Sequence, residues 1–188
     1  MYQPGCEIAV LGGRALTDDL KRKLVPFVLS AVIIIVDQIT KALIVANVEL
    51  HTVGVSLLDG FLRIIHTRNL GIAFSIGVGL PEVLRTVLFV VLPKVVLAFL
   101  VVYYFKTKEL TRFQQWAVAG ILGGGLGNII DRIFRPAGVV DFIDVRFFGI
   151  FGWDRWPTFN VADASVVVCG ILLVASTIFQ PKPQTELQ

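Results

Sequence analysis

Residues 160–179 read NVADASVVVCGILLVASTIF, an almost unbroken apolar run with a single acid, Asp163, at its start. A helix needs roughly 20 apolar residues to cross the hydrocarbon core of a bilayer. This stretch qualifies as a membrane span, and that reading decides the fold. Three more stretches follow the same pattern upstream, at about 24–46, 82–105 and 113–133. Of 188 residues, 55% are hydrophobic and only 16% charged, with mean hydropathy +0.79. That balance lies well outside the range of soluble domains. The chain is therefore expected to be an integral membrane α-helical protein. Four transmembrane helices would carry a small extracytoplasmic β-strand platform, within one membrane domain over 24–180.

Basic residues are distributed by topology, so the formal net charge of +3 makes no case for nucleic acid. Arg14, Lys21, Arg22 and Lys23 precede the first span, Lys106, Lys108 and Arg112 fill the short turn between the second and third, and Lys182 follows the fourth. Placing these eight in the cytoplasm puts both termini inside, by the positive-inside rule. Arg63, Arg68, Arg132, Arg135, Arg146 and Arg155 then lie on the other side. The first span is too long for a cleaved signal peptide and has no small-residue cleavage site, so it is expected to be retained. Residues 1–23 and 181–188 read as cytoplasmic tails. Cys6 in one tail and Cys169 inside the fourth span are too far separated for a disulfide.

The outer side holds two segments, 47–81 and 134–159. The first alternates in Val53-Gly54-Val55-Ser56-Leu57 and in Phe61-Leu62-Arg63-Ile64-Ile65-His66, with Asp59-Gly60 between, which reads as a hairpin. The second has a turn at Arg135-Pro136-Ala137-Gly138, a strand from Val139 to Val145, and an aromatic stretch with Trp153 and Trp156 suited to the headgroup level.

Two acids stand out against this background. Asp141 in Val139-Val140-Asp141-Phe142 shares its strand face with Ile143 and Val145, and a carboxylate among apolar neighbours at a membrane edge needs a functional reason. Asp163 has an ordinary alternative: Asn160 followed three residues later by an acid is a capping box ahead of a helix. If the two meet, like charges crowd one site, so one carboxyl stays protonated near neutral pH and the other serves as a base. That is the chemistry of an aspartic protease. Asp163, near the positive end of its helix, is the expected ionised partner.

The third span contributes Gly120 with Gly124 and Gly123 with Gly127, small-xxx-small pairs that let another helix approach closely. Asn128 and Arg132 follow one turn apart, and Asp131 is expected to pair with a nearby arginine. In the first span Asp37 and Lys41 are an acid–base pair at i, i+4, read as structural or positioning groups. Lys94, beside Pro93 in the second span, either snorkels or finds an acidic partner.

Five motifs now stand in order over residues 24 to 179. They are Asp37-Gln38-Ile39-Thr40-Lys41, Asn69-Leu70-Gly71-Ile72-Ala73-Phe74, Gly127-Asn128-Ile129-Ile130-Asp131-Arg132, Val139-Val140-Asp141-Phe142, and Phe159-Asn160-Val161-Ala162-Asp163-Ala164. Together they resemble lipoprotein signal peptidase, also called signal peptidase II. The resemblance implies a bacterial inner-membrane aspartyl endopeptidase with its site near the outer leaflet. Such an enzyme removes the signal peptide of a diacylglyceryl-modified prolipoprotein by cutting just before the lipidated cysteine. By the same resemblance Asp141 and Asp163 match the catalytic pair. Asn69, Gly71, Asn128, Arg132, Asn160 and Ala164 match positions that line or support the substrate site, and Asp37 and Lys41 match the first-span motif. The cyclic peptide globomycin is the expected inhibitor, membrane lipid a partner, and no cofactor is implied. Two features depart from the pattern: a longer tail before Leu24, and the segment 147–157, whose Asp154 is distinct from the pair.

Other chemistries fit less well. With only His51, His66 and two distant cysteines, and no HExxH, zinc or thiol catalysis has no ligand set. A GxGD-type intramembrane protease would need an aspartate where Gly125-Leu126-Gly127 is followed by Asn128. A proton-coupled transporter or channel accounts for Asp37, Lys41 and Lys94, but not for two acids on the outer edge, nor for the lack of an inverted repeat.

Overall fold

The structure is a computed structural model that describes residues 20–69 and 81–179. Helix α1, Phe27–Asn47, continues a helical turn that starts at Leu20. Pro26 stands at the junction in helical conformation, where its missing N–H breaks only one turn of bonding. Helix α2 occupies residues 82–106 and is not uniform. A turn at Glu82–Thr86 passes into a π-helical segment, Val87–Val91, and then into a regular helix, Leu92–Lys106. Pro93 supplies the cause. Its ring would strike the carbonyl four residues back and it donates no hydrogen bond, and a π-helical bulge relieves both. The second span expected at about 82–105 is thus helical with a π-helical interruption, and Lys94 is exposed just beyond it. Among the described residues, three helices are long and apolar enough to cross a membrane: Leu20–Asn47, Arg112–Phe134 and Val161–Ile178.

Helix α3, Arg112–Phe134, lies at the centre of the bundle and packs against α1, α2 and α4, Val161–Ile178. Glycines make that position possible. A Cβ at Gly123 would stand 2.7 Å from Ser30 Cα, so α1 backbone occupies the space of a side chain. The same approach lets the Ser30 hydroxyl donate to the Ala119 carbonyl at 2.5 Å. Outward faces of the bundle carry Val28, Ile35, Val95, Phe99, Val167 and Ile171, all exposed, as a lipid-facing surface requires.

One end of the bundle carries a four-stranded antiparallel sheet in the order β1-β2-β3-β4: Val53–Leu57, Leu62–Asn69, Val139–Ile150 and Trp153–Arg155. The β1–β2 turn runs through Leu58, Asp59 and Gly60, all at positive φ, and closes with Gly60 N–H donating to Leu57 O at 3.1 Å. Strand β3 is longer than the expected Val139–Val145. It continues through 147–150 and folds back as β4, so the 147–157 segment is mostly a hairpin. Ile44, Val140 and Phe142, backed by Val48, Ile64, Ile143 and Val161, form the core that seats the sheet on α1 and α4. Tyr104, Val118 and Leu122 close the opposite end with Phe27 and Leu173.

Candidate active site

Strand β3 leaves the turn after α3 and pairs Thr67 with Asp141 and Asn69 with Val139, which brings the end of β2 beside the first acid. Asp141 is 2% exposed. Its Oδ2 accepts from Asn69 Nδ2 at 3.1 Å and its Oδ1 from Asn160 Nδ2 at 2.7 Å. Asn160 is also the N-cap of α4. Its Oδ1 accepts from Asp163 N–H at 2.9 Å, while its own N–H donates to Asp163 Oδ2 at 3.2 Å. The capping box read from the sequence is therefore present. It coexists with the other role, because the capping asparagine holds both acids at once.

From α3, Asn128 Nδ2 donates to the second oxygen of Asp163 at 2.7 Å. Each aspartate thus accepts two N–H donors, and the pair is half-open: Asp163 is partly exposed, Asp141 is not. Burial, and next the neighbouring Asp163 carboxylate, push the Asp141 carboxyl from its ordinary 3.8 up to about 7. The donors from Asn69 and Asn160 and the charge of Lys41 oppose that rise without cancelling it.

Beneath the pair lies a second, fully buried cluster. Lys41 Nζ contacts Asp37 Oδ2 at 2.8 Å, Asp131 Oδ2 at 3.0 Å and Asn128 Oδ1 at 2.9 Å. Asp37 Oδ1 accepts from Ala162 N–H at 3.0 Å, tying α1 to the first turn of α4. Asp131 accepts from Val140 N–H at 3.2 Å and pairs with Arg135, which fulfils the expected arginine partner and adds a lysine that was not expected. Gly127 makes room: a Cβ there would meet Asp37 Oδ2 at 2.9 Å.

The structure brings Asn69, Asn128, Asn160, Asp141 and Asp163 into one hydrogen-bonded site, with Asp37, Lys41 and Asp131 directly below. Arg132 donates to the Asn128 carbonyl at 3.2 Å, and Ala164 N–H closes the first turn of α4 onto Asn160 O at 3.1 Å. Gly71 lies outside the described residues. Two further residues escaped sequence reasoning. Gln38 Nε2 donates to Asp131 Oδ1 at 3.0 Å and to Gly127 O at 3.1 Å; its position inside the Asp37–Lys41 motif was the available signal. Asp144, three residues along β3 from Asp141, is 3% exposed and held by Arg63 and Arg155 at 2.6 and 2.7 Å.

Two carboxylates joined by one asparagine stand at the end of an apolar helical bundle, an arrangement that suits an aspartic-type membrane hydrolase. A family model described as signal peptidase (SPase) II matches residues 29–179. Among similar proteins, the lipoprotein signal peptidase of Treponema pallidum (strain Nichols) is 48% identical over 167 residues, covering 89% of this chain and 90% of its own. The lipoprotein signal peptidase of Borrelia hermsii (strain HS1 / DAH) is 45% identical over 156 residues, covering 83% and 91%. A solved bacterial membrane enzyme superposes with TM-score 0.70 at 30% identity, covering 87% of this chain and 94% of that one. The chain belongs to the signal peptidase II family.

Proposed function

We propose that this chain is a membrane aspartyl endopeptidase that removes the signal peptide of a diacylglyceryl-modified prolipoprotein, cutting on the N-terminal side of the lipidated cysteine, with Asp141 and Asp163 as its catalytic pair. The observation that carries this is Asn160, whose one side chain binds Asp141 and caps Asp163. A water between the two carboxyls loses a proton to ionised Asp163 as it attacks the scissile carbonyl. Protonated Asp141 donates a hydrogen bond to the carbonyl oxygen as negative charge develops there. The buried position of Asp141 and its carboxyl at about 7 support it as the proton carrier. Asn69, Asn128 and Asn160 hold the oxygens in place, and Gly71, Arg132 and Ala164 belong to the substrate-binding surroundings.

In the same reading α2 completes a four-span bundle, both termini face the cytoplasm, and the sheet and site lie at the outer leaflet of the bacterial inner membrane. Membrane lipid surrounds the bundle, and globomycin-like cyclic peptides compete for the aspartates. The test is cleavage of a purified diacylglyceryl-modified prolipoprotein by wild type, Asp141→Asn and Asp163→Asn. Each variant is expected to lose at least about 10³-fold in kcat while remaining folded. Near-wild-type turnover by either would remove it from the mechanism.

A further inference from the structure

Lys41 forms no hydrogen bond or ion pair with Asp141 or Asp163, yet its ammonium decides what Asn128 presents to Asp163. A lysine ammonium has three N–H donors and no acceptor. Here the three partners are Asp37 Oδ2, Asp131 Oδ2 and Asn128 Oδ1, at 2.8, 3.0 and 2.9 Å, with Lys41, Asp37 and Asp131 all fully buried. Every donor of the ammonium is committed, and its position is fixed from α1 and α3.

The contact with Asn128 selects one of two amide orientations. With Oδ1 toward Lys41, Nδ2 faces Asp163 Oδ1 at 2.7 Å. The flipped amide would set its NH₂ against the ammonium and its oxygen against a carboxylate, two repulsions in place of two bonds. The same Asn128 Oδ1 also accepts from Asn160 Nδ2 at 3.1 Å, which directs that NH₂ to Asp141 Oδ1 at 2.7 Å and leaves Asn160 Oδ1 for Asp163 N–H at 2.9 Å. The ammonium thus sets the Asn128 amide, while Asn160 is oriented by its cap on Asp163 N–H, and both amides present donors to the pair.

We infer that Lys41 is a positioning residue for catalysis: acting through Asn128, it locks the amide orientation that presents an N–H donor to Asp163 and places one buried positive charge behind the pair. The inference rests on the dyad reading above. Around the pair the charged groups are Asp37 and Lys41 from α1, Asp131 and Arg132 from α3, Asp141 from β3 and Asp163 from α4, with Arg135 on the far side of Asp131. Among them Lys41 is the cation linked to the pair by hydrogen-bonded side chains.

The test compares wild type, Lys41→Met, Asp37→Asn/Lys41→Met and Asp141→Asn on the diacylglyceryl-modified prolipoprotein, with folding followed by near-UV circular dichroism in detergent. Lys41→Met keeps an unbranched side chain, one atom shorter, without donors or charge. It is expected to lower kcat roughly 10²-fold with KM within about twofold, since substrate binding is untouched while the reacting groups lose their alignment. Removing the positive charge disfavours ionisation of the pair, so both limbs of the pH–rate profile move to higher pH by about one unit. A purely structural role lowers the active fraction and leaves the profile in place. A superimposable profile in folded Lys41→Met overturns the proposal.

If that variant fails to fold, the double variant decides, because the opposite charges leave together and no unpaired carboxylate is stranded. Asn at 37 can still accept from Ala162 N–H, while Asn128 still loses its ammonium. The expected result is a low kcat with little movement of the profile, and a wild-type kcat overturns the proposal. Cleavage by Asp141→Asn would undo the dyad reading itself, whereas an inactive Asp141→Asn beside an unaltered Lys41→Met undoes only the role given to Lys41.

Discussion

Asp141 illustrates how a proposed active-site residue can oppose the stability of the protein that holds it. Its carboxyl titrates near 7 in the folded protein against an ordinary 3.8, so between those values the folded state holds a proton that the unfolded chain has released. Stability therefore falls as pH rises through that window, is least affected below about pH 4, and pays the full difference above pH 7. The difference corresponds to a ceiling of roughly 4 kcal/mol, reduced by coupling to Asp163. Asp141→Asn keeps the shape without the ionisable group, although its NH₂ must then face the Asn69 or the Asn160 amide. We expect it to melt higher than wild type in detergent at pH 8, with the advantage shrinking toward pH 5. An equal difference in Tm at the two pH values would show that the burial of charge at Asp141 is not what the wild type suffers. Proton placement is a separate outcome: carboxyl NMR of the free enzyme should find the proton on Asp141, and finding it on Asp163 would reverse the two roles in the mechanism.

Among the elements, α3 and α4 respond differently to the same substitution because their neighbours differ. Gly123→Ala places a methyl 2.7 Å from Ser30 Cα and 3.0 Å from Ser30 O, both backbone of α1, so two helices must part. Overpacking of that kind costs about 1–3 kcal/mol. Gly170→Ala meets nothing within 4 Å and gains helix propensity of up to about 1 kcal/mol. Thermal unfolding in detergent should move down for the first and level or up for the second, and the reverse order would contradict the packing described for α3. In the β3–β4 hairpin, Asp144 joins Arg63 of β2 to Arg155 of β4, whose Nη1 also donates to Gly60 O at 3.1 Å. Both guanidinia reach water, so Asp144→Asn is expected to cost roughly 2 kcal/mol, less than the 3–5 of a fully buried pair. Faster amide exchange confined to 145–157, with cleavage chemistry retained, is the outcome to look for; unchanged exchange there would show that the hairpin does not depend on this carboxylate. The hairpin was legible as a strand followed by aromatics, but its return was not, because cross-strand pairing of Arg146 with Arg155 has no local signature. The break in α2 did have one, in Pro93, which hydropathy alone passes over.

At the scale of the whole molecule, hydropathy and local motifs carried the apolar helices and the small antiparallel sheet, since membrane insertion demands long apolar helices wherever they occur. They also carried Asp141 and Asp163, because an acid beside an apolar span is conspicuous in one dimension. What they could not carry is the arrangement beneath: that Lys41 reaches Asp131 and Asn128, residues 87 to 90 positions away, depends on how closely α1 and α3 approach, and that distance is written in glycines only in aggregate. The same assembly fixes the polarity of the molecule. Lys23 Nζ donates to Phe105 O and Thr107 O at 2.9 and 3.1 Å, and Arg112 donates to Arg22 O at 2.7 Å, so the start of α1, the end of α2 and the start of α3 are fastened together at one end. That end gathers Lys21, Arg22, Lys23, Lys106, Lys108 and Arg112, while the sheet, the aspartates and exposed Phe148, Phe151 and Trp153 occupy the other. The orientation proposed above, with the basic end in the cytoplasm and the aspartates outside, is what the positive-inside rule expects of such a bundle. Single cysteines introduced into an otherwise cysteine-free chain should report this directly: in intact spheroplasts a membrane-impermeant maleimide should label Asp59→Cys and leave Glu109→Cys unlabelled until the membrane is permeabilised. Labelling of Glu109→Cys in sealed spheroplasts, with Asp59→Cys protected, would place the aspartates on the cytoplasmic side and remove the chain from the processing of exported lipoproteins.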